Sequence, residues 1–259
     1  MKVTMDINDY TDGLVSIIMP VHNSENTIAE AIDSVLAQTY RNWELLIVND
    51  CSTDTSVSII DAYLKKDFRI KLFHTDISFG KPFYPRNIAL KHAKGRFIAF
   101  LDSDDVWLPS KLEKQLMLFL YDVSVVYSFY EKISTDGKRV GRIVKSPLET
   151  NYKKLFLSDI IGNLTGIYDT VLVGKVYQRN VEQEDYVMWL DILQKGYRAK
   201  CYPEVLALYR VCKHSLSAAK FRNFKWQWNT YRKVFHLNIF YSIYCYINYA
   251  IKGFVKYLI

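Results

Sequence analysis

The chain is poor in the residues that staple, punctuate or divide a protein. Its 259 residues hold four Cys, ten Gly and six Pro. Cys51, Cys201, Cys212 and Cys245 are scattered with no C-x-x-C pair, which argues against a structural zinc site and a disulfide framework. With no charged-then-apolar leader at the N-terminus either, a reducing cytoplasm is the expected compartment. No Pro/Gly linker divides the first two hundred residues and no repeat stands out, so the chain reads as one domain, residues 1–217, with a tail at 218–259. Acidic residues give out beyond Glu204: from Arg198 onward eleven Lys/Arg face that single acid, so the formal charge of +7 resides in the tail. Long apolar runs are missing too. The uncharged stretch 234–251 is 18 residues, near the lower limit for crossing a bilayer, and His236, Asn238 and Asn248 make spanning costly.

What is present centres on Gly95 to Trp107. Five apolar residues, Phe97 to Leu101, read as a buried strand that ends in Asp102, Ser103, Asp104 and Asp105. Such a strand cannot hide three carboxylates, so all three are expected at its carboxyl edge, where like charges repel unless a cation or proton joins them. Oxygen-only ligands on a short loop suit a hard divalent ion, Mg²⁺ or Mn²⁺, beside a phosphate-bearing substrate. The competing use, a helix cap, is assigned to Ser110, whose spacing to Glu113 makes a capping box.

Along the chain, apolar runs at 15–19, 44–48, 70–73, 97–101, 123–130, 171–177 and 205–209 read as strands. Pro20 is expected to close the first. Helical periodicity falls at 26–38, 55–64, 87–93, 111–120 and 184–194, and Asp136-Gly137 reads as a hairpin or surface turn. Strands alternating with helices imply an α/β fold with a parallel sheet. The strand-end loops Pro20–Glu25, Asn49–Ser52 and Asp102–Asp104 would then share one edge, where a nucleoside diphosphate could touch all three.

Together these segments resemble the family-2 nucleotide-diphospho-sugar glycosyltransferases, which are inverting enzymes of the GT-A fold. The matching pieces are VSIIMPVHNSE (15–25), IVNDCSTD (47–54), Arg86-Asn87-Ile88-Ala89, residues 95–106 and EDYVMWL (184–190), so the likeness spans about 14–211. It implies a Rossmann-like, mostly parallel sheet with a nucleotide-binding half at about 14–106 and an acceptor half at about 107–217. Pro20, Val21, Glu25 and Arg86 would line the nucleotide pocket, Asp50 would hydrogen-bond the base, and Ser103 would lie with the donor. Asp102 and Asp104 look like the D-x-D acids, the first toward the ribose and the second toward Mn²⁺ or Mg²⁺. Asp185, paired with Glu184, looks like the general base that takes the acceptor hydroxyl's proton. The family often has Gly where this chain has Cys51, and a metal-facing His where it has Cys212; His214 is the nearest substitute. The Q-x-x-R-W motif of processive relatives is absent, which favours transfer of one sugar.

The donor expected is a UDP-sugar and the acceptor a glycan or lipid-linked saccharide, in the manner of bacterial surface polysaccharide synthesis. Two other readings stay open. Phe97–Val106 also fits the hhhhDxDxV pattern of haloacid-dehalogenase-like phosphatases, and the pocket could serve a non-catalytic nucleotide-sugar binding protein. Nucleic acid is not an expected partner, because the basic residues carry no nucleic-acid motif. In the tail, Ile239, Ile243, Ile247, Ile251 and Val255 recur every fourth residue, an amphipathic helix expected to lie on an anionic membrane surface at the inner face of the cell membrane, the alternative being that this face packs on the catalytic domain or a second subunit. A chain cut near Ser217 is expected to stay soluble, and a homodimer is left open.

Overall fold

The computed structural model describes residues 13–120, 122–211 and 218–258, the last segment without side chains at 218–223 and 252–258. The described strands form a single ten-stranded sheet. Its nucleotide half runs β1 (Val15–Val21), α1 (Ile28–Leu36), β2 (Trp43–Asn49), α2 (Ser56–Leu64), β3 (Ile70–His74), α3 (Phe83–His92) and β4 (Phe97–Phe100). These four strands lie parallel in the order β3-β2-β1-β4. Alternate residues of each go to opposite faces. Val15, Ile17 and Met19 join Leu45, Ile47 and Phe97 in a core beneath α1 and α2, while Ile18, Leu46, Val48 and Phe100 form a second core with Ala89 and Leu90 of α3. Burial on both faces is why β1, β2 and β4 are almost wholly apolar.

The second half comprises β5 (Val106–Trp107), α4 (Lys111–Leu116), β6 (Val123–Ile133), β7 (Arg139–Val144), β8 (Glu149–Asn151), α5 (Tyr152–Leu155), β9 (Ile167–Asp169), α6 (Thr170–Val173), α7 (Glu184–Leu193) and β10 (Arg198–Arg210). It extends the same sheet as β4-β9-β6-β10-β5. β9 runs antiparallel to both β4 and β6, so the expected α/β sheet is parallel through its nucleotide half and mixed beyond it.

Several sequence expectations need correction. β1 does not stop at Pro20. The Ile18 carbonyl accepts from Leu101 on the β4 side, and Pro20, two residues on, faces that side after β4 has ended, so its missing N–H removes no ladder bond. The strand expected at 171–177 is replaced by β9 and the short α6, because the Asp169 carboxylate accepts from the Val171 N–H and turns the chain into a helix. The box at Ser110 does not form: Ser110 makes no side-chain cap, and Glu113 accepts instead from Thr39 at 2.6 Å.

The tail folds as α8 (Ala218–Asn229), a π-helical turn (Thr230–Val234) and α9 (Ile239–Leu258). Gln227, Tyr231, Ser242 and Cys245 are fully buried, and Phe235, Leu237, Tyr241 and Tyr246 pack on the core that holds α3 and α7. Each buried large side chain contributes roughly 1.5–3 kcal/mol against a total stability of about 5–15 kcal/mol. A chain cut near Ser217 would therefore take Tyr231 and Cys245 out of that core and uncover the side chains they pack against. No helix among the described residues is long and apolar enough to cross a membrane.

Candidate active site

Three carboxyl-terminal strand ends open on one side of the sheet, and the loops that leave them are laced together. After β1, the Asn23 amide carbonyl accepts from Thr53 at 2.8 Å and the Ser24 N–H donates to Ser56 at 2.8 Å, binding that loop to the one after β2. Ser24 and Ser103 hydroxyls meet at 2.7 Å, joining it to the loop after β4. Asn23 and Cys51 hold left-handed backbone (φ 49° and 56°), as does Gln183 (φ 56°) immediately before α7. Cys51 thus holds the conformation that glycine favours, at the position where the family often has glycine.

The loops enclose a cleft of about 440 Å³ lined by Pro20, Val21, Asp50, Arg86, Asp102, Ser103 and Asp104, with His22, Ser78 and Lys81 among its other walls. Six of the expected nucleotide-site residues are therefore neighbours, together with Asp104. Asp50, nearly buried, accepts from Thr75 at 2.8 Å and Ser78 at 2.9 Å, which fixes it at the cleft wall. Glu25 is not part of the lining; its carboxylate accepts from the Thr55 N–H and hydroxyl at the start of α2. His214 lies outside the described residues. Asp105 departs from the expectation that all three acids stay at the edge. It is 1% exposed and accepts from the Arg210 N–H at 2.9 Å, and burial, with Asp102 and Asp104 beside it, pushes its carboxyl well above the usual range.

Arg86 sits in the second turn of α3, buried, and its guanidinium bridges the two halves of the sheet. It donates to Asp102 at 2.6 Å and to Glu184 at 3.0 Å. Burial opposes its charge, but the Asp102 and Glu184 carboxylates outweigh that and raise its pKa. Asn87, the next residue, clamps the approach to α7 by exchanging two hydrogen bonds with the Gln178 backbone, both 2.8 Å. Glu184 is thus engaged, whereas Asp185 has no ion pair among the described residues and accepts from the Tyr186 N–H at 2.8 Å. Burial raises the Asp185 carboxyl against the pull of Arg86, which makes it more basic than a free aspartate.

Asp104 is raised as well, by burial first and then by Asp102. Two carboxylates that disfavour each other's charge are a suitable oxygen donor set for Mg²⁺ or Mn²⁺, which commonly take one or two carboxylates plus substrate phosphates. No group of three or more His, Cys, Asp or Glu among the described residues could enclose a metal without such a substrate.

Sequence reasoning gave Arg210 no role at the site. Its side chain donates to the Asp104 carbonyl at 2.7 Å, to the Ser134 and Thr135 carbonyls, and to Glu30 at 2.5 Å, so it ties the acidic loop to α1 and to the β6–β7 turn. A basic residue closing the apolar run 205–209 was the available signal.

The profile described as "Glycosyl transferase family 2" matches residues 16–174, well over half the chain. The chain belongs to glycosyl transferase family 2. It is 41% identical over 248 residues to the Escherichia coli UDP-Glc:α-D-GlcNAc-diphosphoundecaprenol β-1,3-glucosyltransferase WfgD, covering 95% of each. In fold it is similar to the Pyrobaculum calidifontis mannosyltransferase PcManGT in complex with GDP-Man and Mn²⁺ (TM-score 0.71, 22% identity, 92% of this chain and 68% of that one). It is also similar to Staphylococcus aureus TarS 1–349 in complex with UDP-GlcNAc (TM-score 0.67, 22% identity, 85% and 66%). The mixed sheet with flanking helices is that of these GT-A transferases. The family match includes the Asp102–Asp104 segment, which sets aside the phosphatase reading.

Proposed function

We propose that this glycosyltransferase moves one sugar from a UDP-sugar to a hydroxyl of a lipid-linked saccharide, with inversion, at the inner face of the cell membrane. The nucleoside would occupy the wall formed by Pro20, Val21 and Asp50, where the fixed Asp50 carboxylate can accept from a base N–H. The diphosphate would lie toward Ser103 and Asp104. A divalent ion held by Asp104 and Asp102 would neutralise charge on the leaving diphosphate.

The acceptor enters from the α7 side. Asp185 takes its hydroxyl proton as the oxygen attacks the anomeric carbon on the face opposite the diphosphate, and a single in-line displacement inverts that centre. Glu184 stays bound to Arg86 and fixes the start of α7, while Arg86 holds Asp102 within the same electrostatic frame.

The observation that carries this reading is the Arg86 bridge. It draws the donor-side acid Asp102 and the acceptor-side acid Glu184 to one guanidinium and leaves Asp185 outside any ion pair among the described residues. The choice of donor and acceptor is supported by the similarity to WfgD, a UDP-Glc-dependent glucosyltransferase that acts on a diphosphoundecaprenol-linked GlcNAc.

The test is a donor screen. The full chain with Mn²⁺ is warmed with UDP-, GDP- and dTDP-sugars, and hits are offered an undecaprenyl-diphosphate-linked N-acetylglucosamine. Stabilisation and transfer are expected with a UDP-sugar, and the product anomer is read by NMR. Retention of configuration, or transfer that persists undiminished in EDTA, would refute the mechanism.

A further inference from the structure

In α9 the two sides of the helix are used opposite to what apolarity alone would dictate. The side that meets the protein presents Ser242 and Cys245, both fully buried, with Tyr241 and Tyr246 beside them. The Ser242 hydroxyl is satisfied by the Asn238 carbonyl at 2.8 Å, so burying it leaves no orphan. The more apolar side is left outside. Ile239, Phe240, Ile243, Tyr244, Ile247 and Ile251 are 42–81% exposed. At 100° per residue these six fall within an arc of about 140° and run about 18 Å along the helix. A continuous aliphatic and aromatic stripe of this size on a soluble surface calls for a covering partner.

The charge around the stripe says which partner. Residues 205–259 contain nine Lys/Arg and no acid. Lys225 of α8 and Lys233 of the π-helical turn are exposed, and Arg232 is partly so. A protein partner or a second copy would bring its own mixture of charges. A stripe of Ile and Phe on a tail whose charged residues are all cationic matches an anionic leaflet, whose headgroups take the cations and whose acyl boundary takes the apolar side.

The same tail is joined to the chemistry. The Gln227 amide of α8 donates to the Tyr186 hydroxyl at 3.1 Å, and Tyr186 follows Asp185 on α7. The Tyr231 hydroxyl donates to the Phe156 carbonyl, and Phe156 packs edge-on to Phe235 at 5.2 Å.

We infer that the exposed stripe of α9 lies in the plane of an anionic phospholipid leaflet, with the cations of the tail on the headgroups, so that the membrane is gripped by a tail whose α8 is hydrogen-bonded to the helix that carries Asp185. This rests on the reading of a membrane-borne acceptor given above and adds the surface that meets the membrane.

The experiment uses the full chain in co-sedimentation with vesicles of phosphatidylcholine alone and of phosphatidylcholine mixed with phosphatidylglycerol. The wild type is expected on the mixed vesicles and not on the neutral ones, with release at high salt. The double variant Phe240→Ser/Ile247→Ser alters exposed positions only. It should partition roughly tenfold or more weakly while UDP binding and melting temperature stay at the wild-type values. The variant Lys225→Glu/Lys233→Glu should lose the preference for phosphatidylglycerol.

Equal binding of wild type and both variants would overturn the proposal, as would binding indifferent to lipid charge. Sedimentation velocity supplies the alternative occupant: a wild-type dimer that Phe240→Ser/Ile247→Ser makes monomeric would assign the stripe to a second copy. The two readings fail separately. If no donor supports transfer but vesicle binding follows the pattern above, the surface stands and the activity falls; transfer to a short-chain, water-soluble acceptor with no vesicle binding gives the reverse.

Discussion

Replacing Arg86 by Gln removes the one guanidinium that binds Asp102 at 2.6 Å and Glu184 at 3.0 Å. Breaking a fully buried ion pair costs about 3–5 kcal/mol, because an uncompensated charge is left behind. Here the Arg86 side chain is 5% exposed, but its partners retain 33% and 17%. Water can take up part of the freed charge, so the expected loss is about 2–3 kcal/mol. For a chain of this size that corresponds to roughly 5–10 °C in melting temperature.

The loss should depend on pH with a definite sign. Asp104, Glu184 and Asp185 all have carboxyls raised above their ordinary values, chiefly by burial. The folded state then binds more protons than the unfolded one between the ordinary carboxylate range and the raised values. Stability from these groups is therefore greatest below that window and falls as pH rises through it. Without Arg86 the window extends upward, so the gap between wild type and variant should be small near pH 5 and full near pH 8. Melting curves in EDTA at both pH values measure it, and Mn²⁺ should close part of the gap at pH 8. Arg86→Lys should fall between, since an ammonium keeps the charge but cannot reach both acids in one plane. A variant that melts within about 1 °C of wild type at pH 8, or a gap that does not change with pH, would refute the bridging role.

Asp104→Asn should abolish metal-dependent donor binding by calorimetry while leaving metal-free stability unchanged or slightly higher, because it removes a repulsion with Asp102. Asp185→Asn should lower turnover by roughly 10² to 10⁴ with donor affinity retained; an unchanged rate with Glu184→Gln inactive would move the base one residue back. Gly166→Ala should cost about 1–3 kcal/mol or more in urea unfolding, since an added Cβ would lie 2.4 Å from the buried Trp189 ring. Tyr231→Ala should cost roughly 3–5 kcal/mol in the same assay, and a loss below 1 kcal/mol would show that the tail is not part of the core.

The nucleotide half was readable because its strands are buried on both faces: Val15–Met19, Glu44–Val48 and Phe97–Leu101 are runs that leave no other assignment. β9 was hidden because Ile-Tyr-Asp is too short to show a period, and it is the strand that reverses direction. β10 was read at less than half its length because Pro203 and Glu204 interrupt its pattern where the ladder shifts register. The acid cluster announced itself through charge at a strand end. The Arg86–Glu184 contact could not, since its partners are 98 residues apart and only the fold brings them together. In the tail, periodicity identified the isoleucine stripe but not which side the protein covers. Ser242 and Cys245 were chosen for close approach, a matter of volume rather than hydropathy.

The reversed strand β9 has a consequence for motion. It is hydrogen-bonded to β4 on one side and β6 on the other, so the sheet passes without a break from the half that lines the cleft with Asp102 to the half whose layers carry α7. A transferase built this way has no hinge between lobes. Capturing a donor cannot be a clamshell closure, and its entropic cost falls on the loops that border the cleft, above all 76–82 between β3 and α3, where Lys81 reaches Glu182 at 3.2 Å. Sugar selectivity in such a molecule is a property of short segments that can be exchanged among relatives while the sheet stays the same, and small-angle scattering should record one unchanged envelope with and without donor.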